Sequence, residues 1–295
     1  MLTPQTVAGT PDQARMRSFI QRVATGPEMS KDLSREEARE GMRLILEGRV
    51  DPVQVGIFLI ALRMKRETDE ENLGILDAML DATASSTAEA DDVVVLTDPF
   101  NGYNRILPAS PFLPPVLAAC GVTTVSQGLE AVGPKLGITH RRVLRAAGAP
   151  VDQEPEAALA QVNDTGWAYV DQSRYSPALH NLVDLRNMMV KRSAITTAEV
   201  IPACIRGARA THLVTGYVHK PYPRVYAMLA RTGSYDSCLL VRGVEGGIIP
   251  SLRQKSTMYR YQGEGEEQPW DTDPVTLGLE QNVRAVTLPE ELGGD

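Results

Sequence analysis

Residues 33–71 read LSREEAREGMRLILEGRVDPVQVGIFLIALRMKRETDEE, and three helix starts follow one another within them. Ser34 stands three residues before Glu37, so hydroxyl and carboxylate can each cap the other's backbone N–H. Gly48 is free to turn left-handed and closes that helix. Asp51 then precedes Pro52, which suits a first helical position because its missing N–H costs nothing there. Thr68 and Glu71 repeat the capping box. The middle segment, residues 52–65, is apolar on nearly every face, which predicts burial from several sides. A compact helical unit opens the chain.

Beyond residue 91 the pattern changes. Short β-rich runs, VVVL (93–96), VTTV (122–125), WAYV (167–170), THLVTGYV (211–218) and SCLLVRG (237–243), alternate with helical stretches at 111–120, 139–148, 176–189 and 221–233. Strands separated by helices predict an α/β domain with a mostly parallel sheet flanked by helices. Ligands in such sheets sit at the carboxyl ends of strands, which points to the loops after Leu96, Val125 and Val241. The stretch RYQGEGEEQPWDTDP (260–274) is polar and turn-rich and reads as an extended loop or mobile tail. The expected division is a helical domain (1–90), an α/β domain (91–260) and an acidic polar segment (261–295).

With 295 residues, 43% of them apolar, the chain can bury a substantial core. Three widely spaced cysteines (Cys120, Cys204, Cys238) fit reduced thiols better than a disulfide framework or zinc site. No apolar run approaches the length of a bilayer span, and the first fifteen residues carry no signal-peptide core, so a cytoplasmic protein without membrane attachment is expected. The net charge of -7 is uneven. Residues 1–120 hold 12 Lys and Arg against 18 Asp and Glu, residues 121–260 hold 17 against 10, and residues 261–295 hold 1 against 9. A basic middle suits an anionic ligand, a phosphate, phosphosugar or nucleic acid; it equally suits a solvated basic face neutralised by the acidic tail.

The stretch 33–71 resembles, without gaps, the amino-terminal helical domain of the anthranilate phosphoribosyltransferase family (glycosyltransferase family 3). RYSPALHNLVDLR (174–186), ARATHLVTGYVHKPY (208–222) and CLLVRGVEGG (238–247) resemble further family segments in the same order, over roughly residues 15–250. The resemblance implies a helical domain beside a nucleoside phosphorylase-like α/β domain, a homodimer built through the helices, and a phosphorylated small-molecule ligand.

The family's active-site motifs are altered here. Its diphosphate loop reads GTGGD; this chain has Thr97-Asp98-Pro99-Phe100-Asn101-Gly102-Tyr103-Asn104-Arg105, with one glycine and a carboxylate where phosphate would lie. The Asn101-Gly102 turn with Asn104 and Arg105 can hold an anion through its asparagine and arginine side chains, or form a tight turn and nothing more. In the next motif Gly128 and Lys135 keep register, and Lys135 reads either as a phosphate contact or as a solvated lysine. The Asp-Glu pair that holds magnesium in the family is missing from Val244-Glu245-Gly246-Gly247-Ile248-Ile249, and Glu245 alone is a weak site. No metal site is expected, and magnesium use stays open.

On the acceptor side Arg186 aligns with the arginine that the family uses to grip the carboxylate of anthranilate, with Arg192 beyond it. The competing reading for Arg186 is an ion pair with Asp184 or an exposed helix face. The histidines His140, His180, His212 and His219 form no recognisable triad or metal pattern. The altered loop and missing pair resemble a bacterial branch of family paralogues, some of which bind nucleic acid. Arg141, Arg142 and Arg145 form a short basic face here, with Arg206, Arg209 and Arg253 as neighbours, but no aromatic residues interleave to stack bases. The sequence thus supports a phosphoribosyl or glycosyl transferase acting on an acidic or aromatic acceptor, with classical anthranilate chemistry in doubt. The alternative is a non-catalytic binder of nucleic acid or of a phosphorylated ligand.

Overall fold

The Thr10 hydroxyl accepts the Gln13 N–H at 3.2 Å and opens α1 (Pro11–Val23), a helix whose capping box the reading above passed over. The chain is seen here in a computed structural model that describes residues 9–26 and 28–283. Ser34 and Glu37 cap α2 (Arg35–Leu46), Asp51 caps α3 (Pro52–Lys65), and Thr68 with Glu71 caps α4 (Asp69–Asp81). Glu71 does more than cap. Its buried carboxylate accepts the N–H groups of Leu33 (2.9 Å) and Thr68 (2.8 Å) and pairs with Lys65 at 2.7 Å, so one side chain knots three helix ends. Helix α3 departs from expectation. Val55, Phe58, Leu59 and Leu62 are buried, but Val53, Ile57 and Met64 on its opposite side are 68%, 45% and 77% exposed.

The α/β part follows as β1 (Ser86–Thr87), β2 (Asp92–Thr97), α5 (Leu113–Ala119), β3 (Thr124–Gly128), α6 (His140–Ala146), α7 (Pro155–Thr165) and β4 (Trp167–Asp171). Four short helices then return the chain to the bundle: α8 (Gln172–Tyr175), α9 (Pro177–His180), α10 (Val183–Met189) and α11 (Ala194–Ala198). Two strands, β5 (Ile205–Arg206) and β6 (Ala210–Gly216), precede α12 (Tyr222–Thr232), β7 (Ser237–Val241), β8 (Ser256–Gln262) and β9 (Gln268–Thr272). The main sheet runs β4-β3-β2-β6-β7-β8-β9, parallel from β4 to β7 and antiparallel at β8 and β9; β1 and β5 form a separate parallel pair.

The expected loop at 260–274 is therefore a hairpin, β8–β9, laid on the edge of the sheet. Its polar composition hid a strand whose pairing comes from β7, with Leu239 opposite Arg260. Residues 284–295 of the acidic segment, like residues 1–8, lie outside the described residues. Strand order sets where a ligand can enter. From β2 the chain winds outward through β3 to β4, whereas β6 and β7 lie on the other side of β2. The loops leaving β2 and β6 diverge, and the crevice between their carboxyl ends is the switch point of the sheet.

Candidate functional site

A cavity of ≈ 200 Å³ occupies that crevice. Pro99 and Asn101 reach it from the loop after β2, Tyr217, Val218 and His219 from the end of β6, and Glu245 and Gly246 from the loop after β7. The bundle closes it with Arg63 at the end of α3, and Tyr222 and Tyr226 of α12 supply an aromatic wall with ring centroids 6.0 Å apart. The predicted loops after β2 and β7 thus take part. The one after β3 does not, and the loop after β6 replaces it.

Arg63 is the joint between bundle and sheet. Its guanidinium donates to Tyr222 Oη (3.0 Å) and to the Ser193 carbonyl (2.8 Å) and lies 3.1 Å from Glu67. Nothing in the sequence reading singled it out, although a lone arginine ending an apolar helix was a visible signal. The tyrosines were likewise passed over. Burial pushes the Tyr217 hydroxyl up to about 12, so it acts as a neutral group, donating to the Thr257 carbonyl at 2.6 Å.

Of the six residues expected on the phosphate side, Asn101 alone lines this cavity. It is 1% exposed, lines the cavity, and its Oδ1 has no hydrogen-bond partner among the described residues. A buried amide oxygen left unpaired costs about 1–3 kcal/mol, which a ligand donor would recover. Arg192 also lines the cavity, and among the described residues it forms no ion pair. None of the other five residues expected on the diphosphate side lines this cavity. Gly102 is glycine because its φ is +72° and a Cβ would lie 2.7 Å from the Gly137 carbonyl oxygen. Its N–H already donates to Pro99 O (2.8 Å), and its carbonyl accepts from Lys135 Nζ (3.2 Å). The backbone N–H groups of Asn104 and Arg105 both donate to Glu245 Oε2, at 3.0 and 2.8 Å.

Lys135 Nζ pairs with the other oxygen of Glu245 at 2.8 Å, while Gly128 is buried within β3 opposite Asp171 and lines neither this cavity nor its neighbour. Burial of Glu245 favours its neutral form, but the Lys135 ammonium and the two N–H groups outweigh that and hold its carboxyl below the usual range. Burial pulls the Lys135 ammonium below the ordinary lysine range, against the pull of Glu245. Glu245 adopts φ +55°, a left-handed conformation that costs a non-glycine residue about 1–3 kcal/mol and concentrates at functional loops. The anion cradle is built, but the chain's own carboxylate fills it.

Asp98 was expected to repel phosphate. Instead its carboxylate turns inward, accepting from Ile248 N (3.0 Å) and from the Ser110 hydroxyl, with His140 Nε2 at 2.7 Å. Burial raises this carboxyl, yet the partners win and keep it below the usual range. The cluster is sealed from solvent, so it braces the loop and offers no nucleophile.

Arg186 does not face the cavity. It is buried and forms two hydrogen bonds of 2.7 Å each to Glu199, so the guanidinium expected to grip an acceptor is already matched. Asp184, the partner considered from sequence, is not the one used. The basic face is also largely neutralised. Arg141 pairs with Glu130, Asp152 and Asp171, Arg145 with Glu130, and Arg209 with Asp92, whereas Arg142, Arg206 and Arg253 are in no ion pair among the described residues. Arg206 donates to Gly233 and Ser234 carbonyls. His212 is held by Ser237 and Asp92, whereas His219 lines the cavity.

The residues do not fit the family's magnesium. Ile248 and Ile249 follow Gly246-Gly247, both oxygens of Glu245 are already engaged, and the described residues contain no cluster of three His, Cys, Asp or Glu side chains. A second cavity of ≈ 380 Å³ lies on the far side of Glu245.

Comparison with known proteins agrees with this architecture. Residues 17–83 match the helical bundle domain of the glycosyl transferase family. An anthranilate phosphoribosyltransferase of Rhodopseudomonas palustris is 31% identical over 265 residues, covering 89% of this chain and 75% of that protein. An uncharacterized protein of Aquifex aeolicus is 30% identical over 253 residues, covering 85% and 74%. Among solved structures, the anthranilate phosphoribosyltransferase of Thermus thermophilus superposes with a TM-score of 0.69 at 20% identity, covering 92% of this chain and 76% of that one. The Saccharomyces cerevisiae enzyme in complex with PRPP and Mg gives 0.72 at 15% identity, covering 95% and 79%. A bundle capped as the sequence predicted, a switch-point cavity and relatives matching at 30% identity along most of their length lead to one conclusion: the chain belongs to the anthranilate phosphoribosyltransferase family.

Proposed function

We propose that the chain binds a phosphorylated sugar together with an acidic or aromatic acceptor in the cavity between bundle and sheet, as a pentosyl-type transferase of altered substrate. The observation that carries the reading is Asn101, a cavity-lining residue at the switch point whose buried amide oxygen has no partner among the described residues. Arg192 supplies the one cavity-lining guanidinium outside an ion pair among the described residues, so it takes the acceptor role that Arg186 cannot. The tyrosine wall favours a ring.

Transfer of a pentosyl group proceeds as the leaving group departs and positive charge builds at the sugar. Here the protein's part is positioning: Asn101 orients sugar hydroxyls and Arg192 holds the acceptor. Calorimetry with phosphoribosyl diphosphate tests this. Saturable binding is expected, unchanged by added magnesium and weakened about threefold or more by Asn101→Ala, as for loss of a neutral hydrogen bond to the sugar. Absence of measurable binding, or strict magnesium dependence, would refute it.

Free thiols at Cys120, Cys204 and Cys238 support a reducing, cytoplasmic setting, and among the described residues no helix is long and apolar enough to cross a membrane. Homodimerisation, which the resemblance implies, finds support in the apolar strip Val53–Ile57–Met64 left open on α3. Ile57→Glu is expected to halve the mass found by sedimentation equilibrium without altering the circular dichroism; an unchanged mass would refute dimerisation through this face.

A further inference from the structure

The cavity beyond Glu245 has a different character from its neighbour. Arg105 enters from the loop after β2, Arg242 from the end of β7, and Arg253 from the segment leading into β8, while Val218 and Glu245 are shared with the tyrosine-lined space. Three arginines from three separate segments line one hollow, and among the described residues none of them is in an ion pair. The carboxylate in the wall does not neutralise them, because Glu245 already accepts from two backbone N–H groups and Lys135. Like charges gathered without counterions repel one another, and an anion relieves that repulsion.

We propose that Arg105, Arg242 and Arg253 form a phosphate-binding site, relocated from the loop whose N–H groups Glu245 now occupies. Guanidinium groups bind phosphoryl oxygens in pairs of parallel hydrogen bonds, and three of them match a phosphomonoester dianion or a diphosphate. Because the two cavities adjoin at Val218 and Glu245, one ligand can span them, with its phosphate among the arginines and its ring against Tyr222 and Tyr226. The ligand class is a phosphorylated compound carrying an aromatic ring. This spanning geometry rests on the reading of the tyrosine cavity given above; the arginine site does not. A polynucleotide fits less well: the neighbouring basic face is spent on internal ion pairs, and the chain carries a net charge of -7.

The test uses the full chain with three probes: inorganic phosphate, phosphoribosyl diphosphate and adenosine 5′-monophosphate, the last carrying both phosphate and ring. Arg242→Ala and Arg253→Ala should each weaken inorganic phosphate about tenfold or more, and the double variant should abolish its binding. Arg142→Ala, away from the cavity, should leave it unchanged, and circular dichroism checks that each variant folds. Adenosine monophosphate should bind more tightly than inorganic phosphate, and Tyr226→Ala should remove only that advantage. Phosphate affinity undiminished in the double variant, or no phosphate binding by the parent chain, overturns the site. Binding of single-stranded DNA that falls steeply with salt, without saturable phosphate binding, overturns it in favour of a polynucleotide. Phosphate bound through the arginines with no affinity for phosphoribosyl diphosphate keeps the site and defeats the transferase reading. Phosphoribosyl diphosphate bound equally by parent and double variant does the reverse.

Discussion

Arg186→Ala is expected to lower the unfolding free energy by about 3–5 kcal/mol, because it strands the Glu199 carboxylate in the interior without its partner. The pair is fully buried, with both guanidinium nitrogens 2.7 Å from carboxylate oxygens. Glu199→Ala should cost a similar amount, leaving an uncompensated guanidinium. The double change Arg186→Met with Glu199→Leu should recover most of the loss, since neither charge then has to leave water. Urea denaturation at constant pH reads all three. A cost below about 1 kcal/mol for Arg186→Ala, a value typical of exposed ion pairs, would mean that the pair opens in solution and would return Arg186 to the acceptor side.

Gly216→Ala is expected to cost about 1–3 kcal/mol or more through overpacking and to abolish ligand binding. A Cβ on Gly216 would overlap the carbonyl oxygens of Gly246 and Gly247, which are backbone and cannot rotate aside. The loop after β7 would have to move away from β6, taking Glu245 and the wall between the two cavities with it. Gly48→Ala is the informative contrast. Unlike Gly216 it sits at positive φ (+67°), but a Cβ there meets nothing within 4 Å, so only the local backbone preference is lost, about 1 kcal/mol. Calorimetry with phosphoribosyl diphosphate and thermal melts of both variants separate the cases: Gly48→Ala retains binding and Gly216→Ala does not. Parent-like binding by Gly216→Ala would show that the close approach of these loops is dispensable.

What the sequence disclosed was what neighbouring residues decide. Ser34 and Glu37, or Thr68 and Glu71, lie within one helical turn, so their caps are readable from spacing. The five parallel strands announced themselves through β-branched runs. The hairpin β8–β9 did not, because its residues are mostly polar and its ladder comes from β7 rather than from local preference. The site was harder still. Glu245 meets Asn104 and Arg105 across some 140 positions, and Arg63 meets Tyr222 across 159. No periodicity reports such meetings. Arg186 shows the opposite hazard: family alignment suggested its role, while a glutamate thirteen residues on had already taken its hydrogen bonds. The loop after β6 was quoted for its strand, and its aromatic residues were left out because a strand end and a helix start were considered apart.

The hairpin at the sheet's margin has a consequence for how copies of this chain meet. Among the described residues no strand pairs with the outer side of β9, which therefore presents free backbone groups. Pro269 removes one donor from that row, and Glu264, Glu266, Asp271 and Asp273 surround it with negative charge. A second molecule approaching margin to margin would find a gap in the hydrogen-bonding ladder and repulsion along its length. The acidic character of this part of the chain thereby acquires a physical purpose: it discourages sheets from growing into fibres.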